Sequence, residues 1–224
     1  MRRTRPPVVA TPIVLLALTL TGCGGGKSPE PVKGGVGRPA AGGIAWKFVG
    51  RIAQDGDTFT GRGYVTHVDG LADGALYTSA TRSERTARFV VAIDGRATGR
   101  SKLQAVTVVD STGTATIRFN QQGGASFDDP ASFTKGTTVA TADVVAQDVL
   151  SITSTDRNQG IAAATAQLTQ TEAGQFELDG ASHQFGAKGE VTRMALNGQG
   201  VRTDPTAPRS LIEVAGDVIT AFQG

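Results

Sequence analysis

A chain of 224 residues with 22 Lys and Arg against 20 Asp and Glu, one Cys and two His is long enough for a folded domain with a real core. Two histidines exclude a three-His zinc site, and one cysteine excludes an internal disulfide. The near-balance of charge, without any Lys/Arg run, excludes the strongly basic surface that nucleic-acid binding requires.

The first 22 residues have the three parts of an export signal. Arg2, Arg3 and Arg5 form a basic start, Val8 to Leu20 a mostly apolar run of 13 residues, and Thr21 and Gly22 a small-residue exit. That run suits a signal peptide and falls short of the roughly 20 apolar residues a spanning helix needs. Directly after it stands Cys23, the only thiol of the chain.

Leu20-Thr21-Gly22-Cys23 resembles the lipobox of bacterial lipoproteins. The resemblance covers residues 1–23. It implies cleavage before Cys23, a diacylglyceryl group on its sulfur with palmitate-type acyl chains, and a mature protein anchored at the extracytoplasmic face of the cell membrane. Thiolate nucleophilicity is the physical reason such a step needs Cys, and each buried methylene adds about 0.8 kcal/mol to the attachment. The exported domain is then left without a thiol and must be held by burial and hydrogen bonding. Loss of Arg2, Arg3 and Arg5 leaves 19 basic against 20 acidic side chains, so the mature protein is close to neutral and no nucleic-acid partner is expected.

Residues 24–43, with eight Gly, three Pro and hardly any bulky apolar side chain, predict a flexible tether, because such composition buries too little surface to offset the entropy of ordering. Its expected root-mean-square span is ~25 Å. Residues 44–224 are then a single domain.

Within that domain apolar and polar residues alternate with period two. In "TARFVVAID" Ala87, Phe89, Val91 and Ile93 share a face; in "TATIRFN" Ala115, Ile117 and Phe119 do. The runs "IAWKFVGRIA", "TFTGRGYVTHV", "KLQAVTVVD", "TTVATADVVAQDVLSI", "IAAATAQLTQT", "QFELDG", "HQFG" and "VTRMALNG" read as further strands. Asp55-Gly56, Asp69-Gly70, Asp94-Gly95, Ser111 to Gly113, Ala173-Gly174, Asp179-Gly180 and Asn197-Gly198 are the predicted turns, since tight hairpins need the positive φ that these residues tolerate. The fold class this predicts is all-β, an antiparallel barrel, with a two-sheet sandwich as the alternative. Residues 71–88 read as a short helix or a long loop. Residues 210–223 have apolar spacing near that of a helix, yet Gly216 and four β-branched residues (Ile212, Val214, Val218 and Ile219) argue for a final strand or hairpin.

Chemical motifs are few. His67, late in a predicted strand and placed on the same face as Val65, and His183, beside a turn, read as structural histidines. Asp55 with Asp57, Asp69 with Asp73, and Asp128 with Asp129 lack the spacing of a calcium loop, and hairpin and cap chemistry accounts for them. No metal or cofactor is expected. Phe127 and Phe133, bracketing Asp128-Asp129-Pro130, predict a structured crossover pinned to the core, with a recognition loop as the other option.

The reading is therefore a lipid-anchored envelope protein whose barrel binds a small apolar ligand or an envelope partner without chemistry. The wall predicted to meet the ligand is Phe59, Val65, Phe89, Val91, Ile117 and Phe119, with Gly61, Gly63 and Ala115 leaving volume beside them. The alternatives are a hydrolase or isomerase-type enzyme using carboxylates and His on the same scaffold, and a purely structural surface protein.

Overall fold

The computed structural model describes residues 35–204 and 209–221; Cys23 and the predicted signal peptide lie outside them. The strands are β1 (Gly35–Val36), β2 (Ile44–Asp55), β3 (Thr58–Val68), β4 (Phe89–Leu103), β5 (Val106–Phe119), β6 (Thr137–Ser154), β7 (Gln159–Ala173), β8 (Gln175–Leu178), β9 (Ala181–Phe185), β10 (Val191–Asp204) and β11 (Arg209–Thr220). Eight of them form a closed antiparallel barrel in the order β10-β11-β2-β3-β4-β5-β6-β7. The ladder between β7 and β10, from Val191 opposite Thr169 to Val201 opposite Gln159, closes the wall, so the sheet has no free edge and the sandwich alternative is not realised. Residues 210–220 are strand throughout.

Alternation decides which side chains point inward. On β5 Val109, Ser111, Ala115, Ile117 and Phe119 are buried, while Asp110, Thr112, Thr114 and Thr116 are not. On β5 the outward face is thus polar and the inward face largely apolar, while Val145, Ile161, Val201 and Leu211 on other strands are exposed.

The two ends of the barrel differ. At one end the strands meet in short connections, Asp55 to Thr58, Leu103 to Val106 and Ser154 to Gln159, and β10 ends and β11 begins there too. At the other end the connections are long. One carries the short 3-10 turn Asp73–Leu76, one the 3-10 turn Pro130–Thr134, and the third carries β8 and β9. The predicted ambiguity over residues 71–88 is thereby resolved as both a short helical turn and a loop. The β8–β9 hairpin joins β1 in a three-stranded sheet, with β1 parallel to β9.

That small sheet closes its end with aromatic rings. Phe176 packs on Phe89 and Phe119 with ring centroids 5.1 and 5.0 Å apart, and Phe185 packs on Trp46 and Phe89 at 6.5 and 6.2 Å. A second, smaller core lies on the outside of β3 and β4, where Phe133, Ala125 and Val90 are buried with Phe127 and Tyr64 against them. Phe127 and Phe133 stack at 5.1 Å, and the Arg51 guanidinium lies 4.7 Å from the Phe127 ring centroid. The crossover is therefore pinned to the wall, away from the open end.

Two expectations are corrected here. The tether does not extend to residue 43. Val36 is 1% exposed in the core, Gly37 N–H donates to the Asp69 carbonyl at 2.8 Å, Gly42 N–H to the Thr220 carbonyl at 2.9 Å, and Arg38 pairs with the buried Glu190 at 3.4 Å. One valine aimed between β9 and the barrel outweighs the glycine-rich composition around it. Three of the predicted turns also fail. Asp94-Gly95, Ser111 to Gly113 and Asn197-Gly198 lie inside β4, β5 and β10. Gly95 and Gly113 face each other across the ladder, and a Cβ on Gly113 would sit 2.5 Å from the Asp94 carbonyl oxygen, so strand approach requires the glycine.

Candidate functional site

The six residues predicted to meet a ligand all point into the barrel, and the structure uses most of them as packing. Phe89 is fully buried, with Phe119 4.9 Å away; Val65, Val91 and Ile117 are buried in the same cluster. Phe59 is half-buried and lays its ring onto Gly95. Of the three small residues, Gly61 would place a Cβ 3.3 Å from Ile93, and Gly63 would place one 2.6 Å from the Val49 carbonyl oxygen. Ala115 and Ile117 border a gap of only about 30 Å³. Little volume remains at this end.

The open end is different. A cavity of about 580 Å³ occupies the mouth, within the range of small-molecule sites. None of the six predicted residues lines it. Its apolar wall comes from Val109, Leu150, Ile152, Ala162 and Ile212, and its polar wall includes Gln54, Thr107 and Ser210. Two neighbouring strands present small residues to the cavity, Gly160 and Ala162 on β7 and Gly200 on β10, with Gly160 facing Gly200 across the ladder. The sequence signal was present in "GIAAATA" and "NGQGV", where alternate positions are Gly or Ala, and the turn reading of Asn197-Gly198 hid it.

Four cations line the mouth: Arg100, Lys102, Arg202 and Arg209. Two of them are already paired. Arg100 holds Asp57 and donates to the Gly56 carbonyl at 2.9 Å, and Arg209 Nε donates to Asp55 at 2.9 Å. The acidic pair Asp55 and Asp57 thus fastens arginines to the rim. One inward step below the cavity wall on β6 lies Asp148, opposite Val109 on β5 and Ala164 on β7. Burial pushes its carboxyl above the usual carboxylate range; the Ser111 hydroxyl, donating at 3.3 Å, pulls it back, and nearby Asp110 adds to the rise.

A β-bulge sets which side chains reach the mouth. From Phe89 to Ala97 the odd-numbered residues of β4 face in, a parity that would bring Gly99 and Ser101 inward next. The ladder slips between Ala97 and Gly99, so Thr98 is an additional residue and Arg100 pairs with the buried Val109, Lys102 with Thr107. Both cations are turned inward, and Leu103 at the hairpin tip is left 75% exposed.

A second bulge corrects the placement of His67. Val65 pairs with Phe48 and His67 with Lys47, so Thr66 is the additional residue. His67 therefore turns to the outer face, where its Nδ1 lies 2.9 Å from Asp73, and Val68 takes the interior position. His183 stacks on Phe176 in the closing sheet, 5.4 Å between centroids. Neither histidine borders the mouth cavity. Asp128 lies 3.4 Å from Arg85, on the crossover.

Fold and site together define an eight-stranded antiparallel barrel, closed by a small sheet at one end and open to a cation-rimmed cavity at the other. Comparison with known proteins gives no match: no family model, no curated protein and no solved structure is similar to this chain at a significant level.

Proposed function

We propose that this chain is a lipid-anchored, extracytoplasmic binding module that takes a small apolar molecule into the open mouth of its barrel. The cavity of about 580 Å³ carries this reading. Its walls of Val109, Leu150, Ile152, Ala162 and Ile212 would exchange water for an apolar surface, at roughly 25 cal/mol for each Å² removed from water. The lipobox-like Leu20-Thr21-Gly22-Cys23 supports the anchor and the location.

The neutral fluorophore N-phenylnaphthylamine tests the cavity, because its emission rises on leaving water. It is expected to bind the wild-type protein and to lose binding in Ala162→Trp, whose side chain would fill the mouth from β7 while leaving the closed end intact. Equal binding by this variant, with its fold confirmed by circular dichroism, would place the probe elsewhere and overturn the assignment of the cavity.

A further inference from the structure

We infer that the molecule held in the mouth is an anionic amphiphile, an apolar chain bearing a carboxylate or phosphate head, and that Lys102 and Arg202 bind the head. This deepens the proposed function and rests on that reading of the cavity. Three observations carry it. The described side chains lining the cavity include four cations and no carboxylate. Arg100 and Arg209 are held by Asp57 and Asp55, whereas the side chains of Lys102 and Arg202 have no ion-pair partner among the described residues. Lys102 is on β4 and Arg202 on β10, four strands apart whichever way the eight-stranded wall is followed. The two cations thus stand on opposite sides of one opening.

The third observation is the bulge at Thr98. A strand that kept its alternation would bring Gly99 and Ser101 to the inner face; the slipped ladder brings Arg100 and Lys102 there and leaves Leu103 in solvent. Stability alone favours no such exchange, since it leaves an apolar leucine in solvent. An anion between Lys102 and Arg202 would give both cations a partner, and charge-assisted hydrogen bonds are the strong ones. Below the head, Val109, Leu150, Ala162 and Ile212 offer the chain an apolar lining. Neutral amphiphiles would fit the lining and leave the cations unpaired.

The experiment uses one chain length with three heads. Myristate, tetradecyl phosphate and tetradecanol are each titrated against N-phenylnaphthylamine bound to the full chain carrying Cys23→Ser. At least one of the two anions is expected to displace the probe about tenfold more tightly than the alcohol, and whichever anion prevails identifies the head. In Lys102→Gln/Arg202→Gln that advantage should vanish while the alcohol binds within about twofold of wild type. Should the double variant not fold, the wild-type protein still decides, because molar salt must erode the anion advantage and leave the alcohol unchanged. An alcohol as potent as both anions overturns the anionic head and leaves the cavity reading standing. Failure of the probe to bind at all overturns both.

Discussion

Asp148 shows how much a single inward position can matter. Its carboxyl faces the interior beneath the mouth, where burial holds its proton affinity above that of an ordinary aspartate. A carboxyl whose pKa is raised by folding gives stability that is complete below the unfolded value, about 3.9, and that is lost as pH rises through the folded value. Asp148 should therefore weaken the fold at neutral pH relative to a neutral isostere. Asp148→Asn is expected to melt at or above the wild-type temperature at pH 7, with the difference shrinking towards pH 4. A variant that melts well below wild type at pH 7 would show that the charged form is held by interactions that outweigh its desolvation. Its parity with Leu150 is legible in "QDVLSI", where alternate residues share a face; that this face is the interior follows only from the pairing with Val109.

Among the elements, β1 has the largest effect for its size. It has two residues, yet Val36 is buried against the barrel and Gly35 and Val36 pair with Gln184 and Phe185 of β9. Removing residues 1–43 should forfeit the burial of Val36, about 1.5–3 kcal/mol, and expose the edge of β9. At 2–4 °C per kcal/mol for a domain of this length, the melting temperature is expected to fall by roughly 3–12 °C against the chain starting at residue 35. Identical melting curves would restore residues 35–43 to the tether. The strands themselves were legible wherever alternation was clean: "TFTGRGYVTHV" is β3 from end to end. Gln104 and Asn158, which turn β4 into β5 and β6 into β7 with positive φ, were missed because neither sits in an Asn-Gly or Asp-Gly pair. Conversely Gly95, Gly113 and Gly198 imitate turn residues while serving close approach of backbones inside the wall.

At the scale of the whole molecule, the anchor and the mouth make separate demands that separate measurements can check. If Cys23 carries the diacylglyceryl group, cells with lipoprotein processing should incorporate labelled fatty acid into the native chain and keep it with membranes. Cys23→Ser should lose the label and appear in the soluble fraction, and an equally labelled variant would rule out the anchor at that residue. A ligand that enters the mouth should raise the melting temperature of the soluble variant, by the equivalent of about 2.7 kcal/mol at a hundredfold excess over its Kd. No such rise should occur in Ala162→Trp.

Local chemistry determined what the sequence could specify alone: the alternation of "ARFVVAID" and "TATIRFN" makes strands with one apolar face, and a chain with a single Cys has no internal disulfide and must rely on burying that face. Period two is a property of the single strand, so it survives in the sequence. Which inward residues pack and which enclose space is a property of eight strands meeting. Phe89 and Phe119 became core because Phe176 and Phe185 arrive from a hairpin more than 50 residues further along the chain, whereas Gly160 and Gly200 border the cavity where they face each other across the closing ladder. The bulges at Thr66 and Thr98 belong to the same class. A one-residue slip reverses every later side chain on a strand, and only the partner strand's register decides whether His67 leaves the interior and Lys102 enters the mouth.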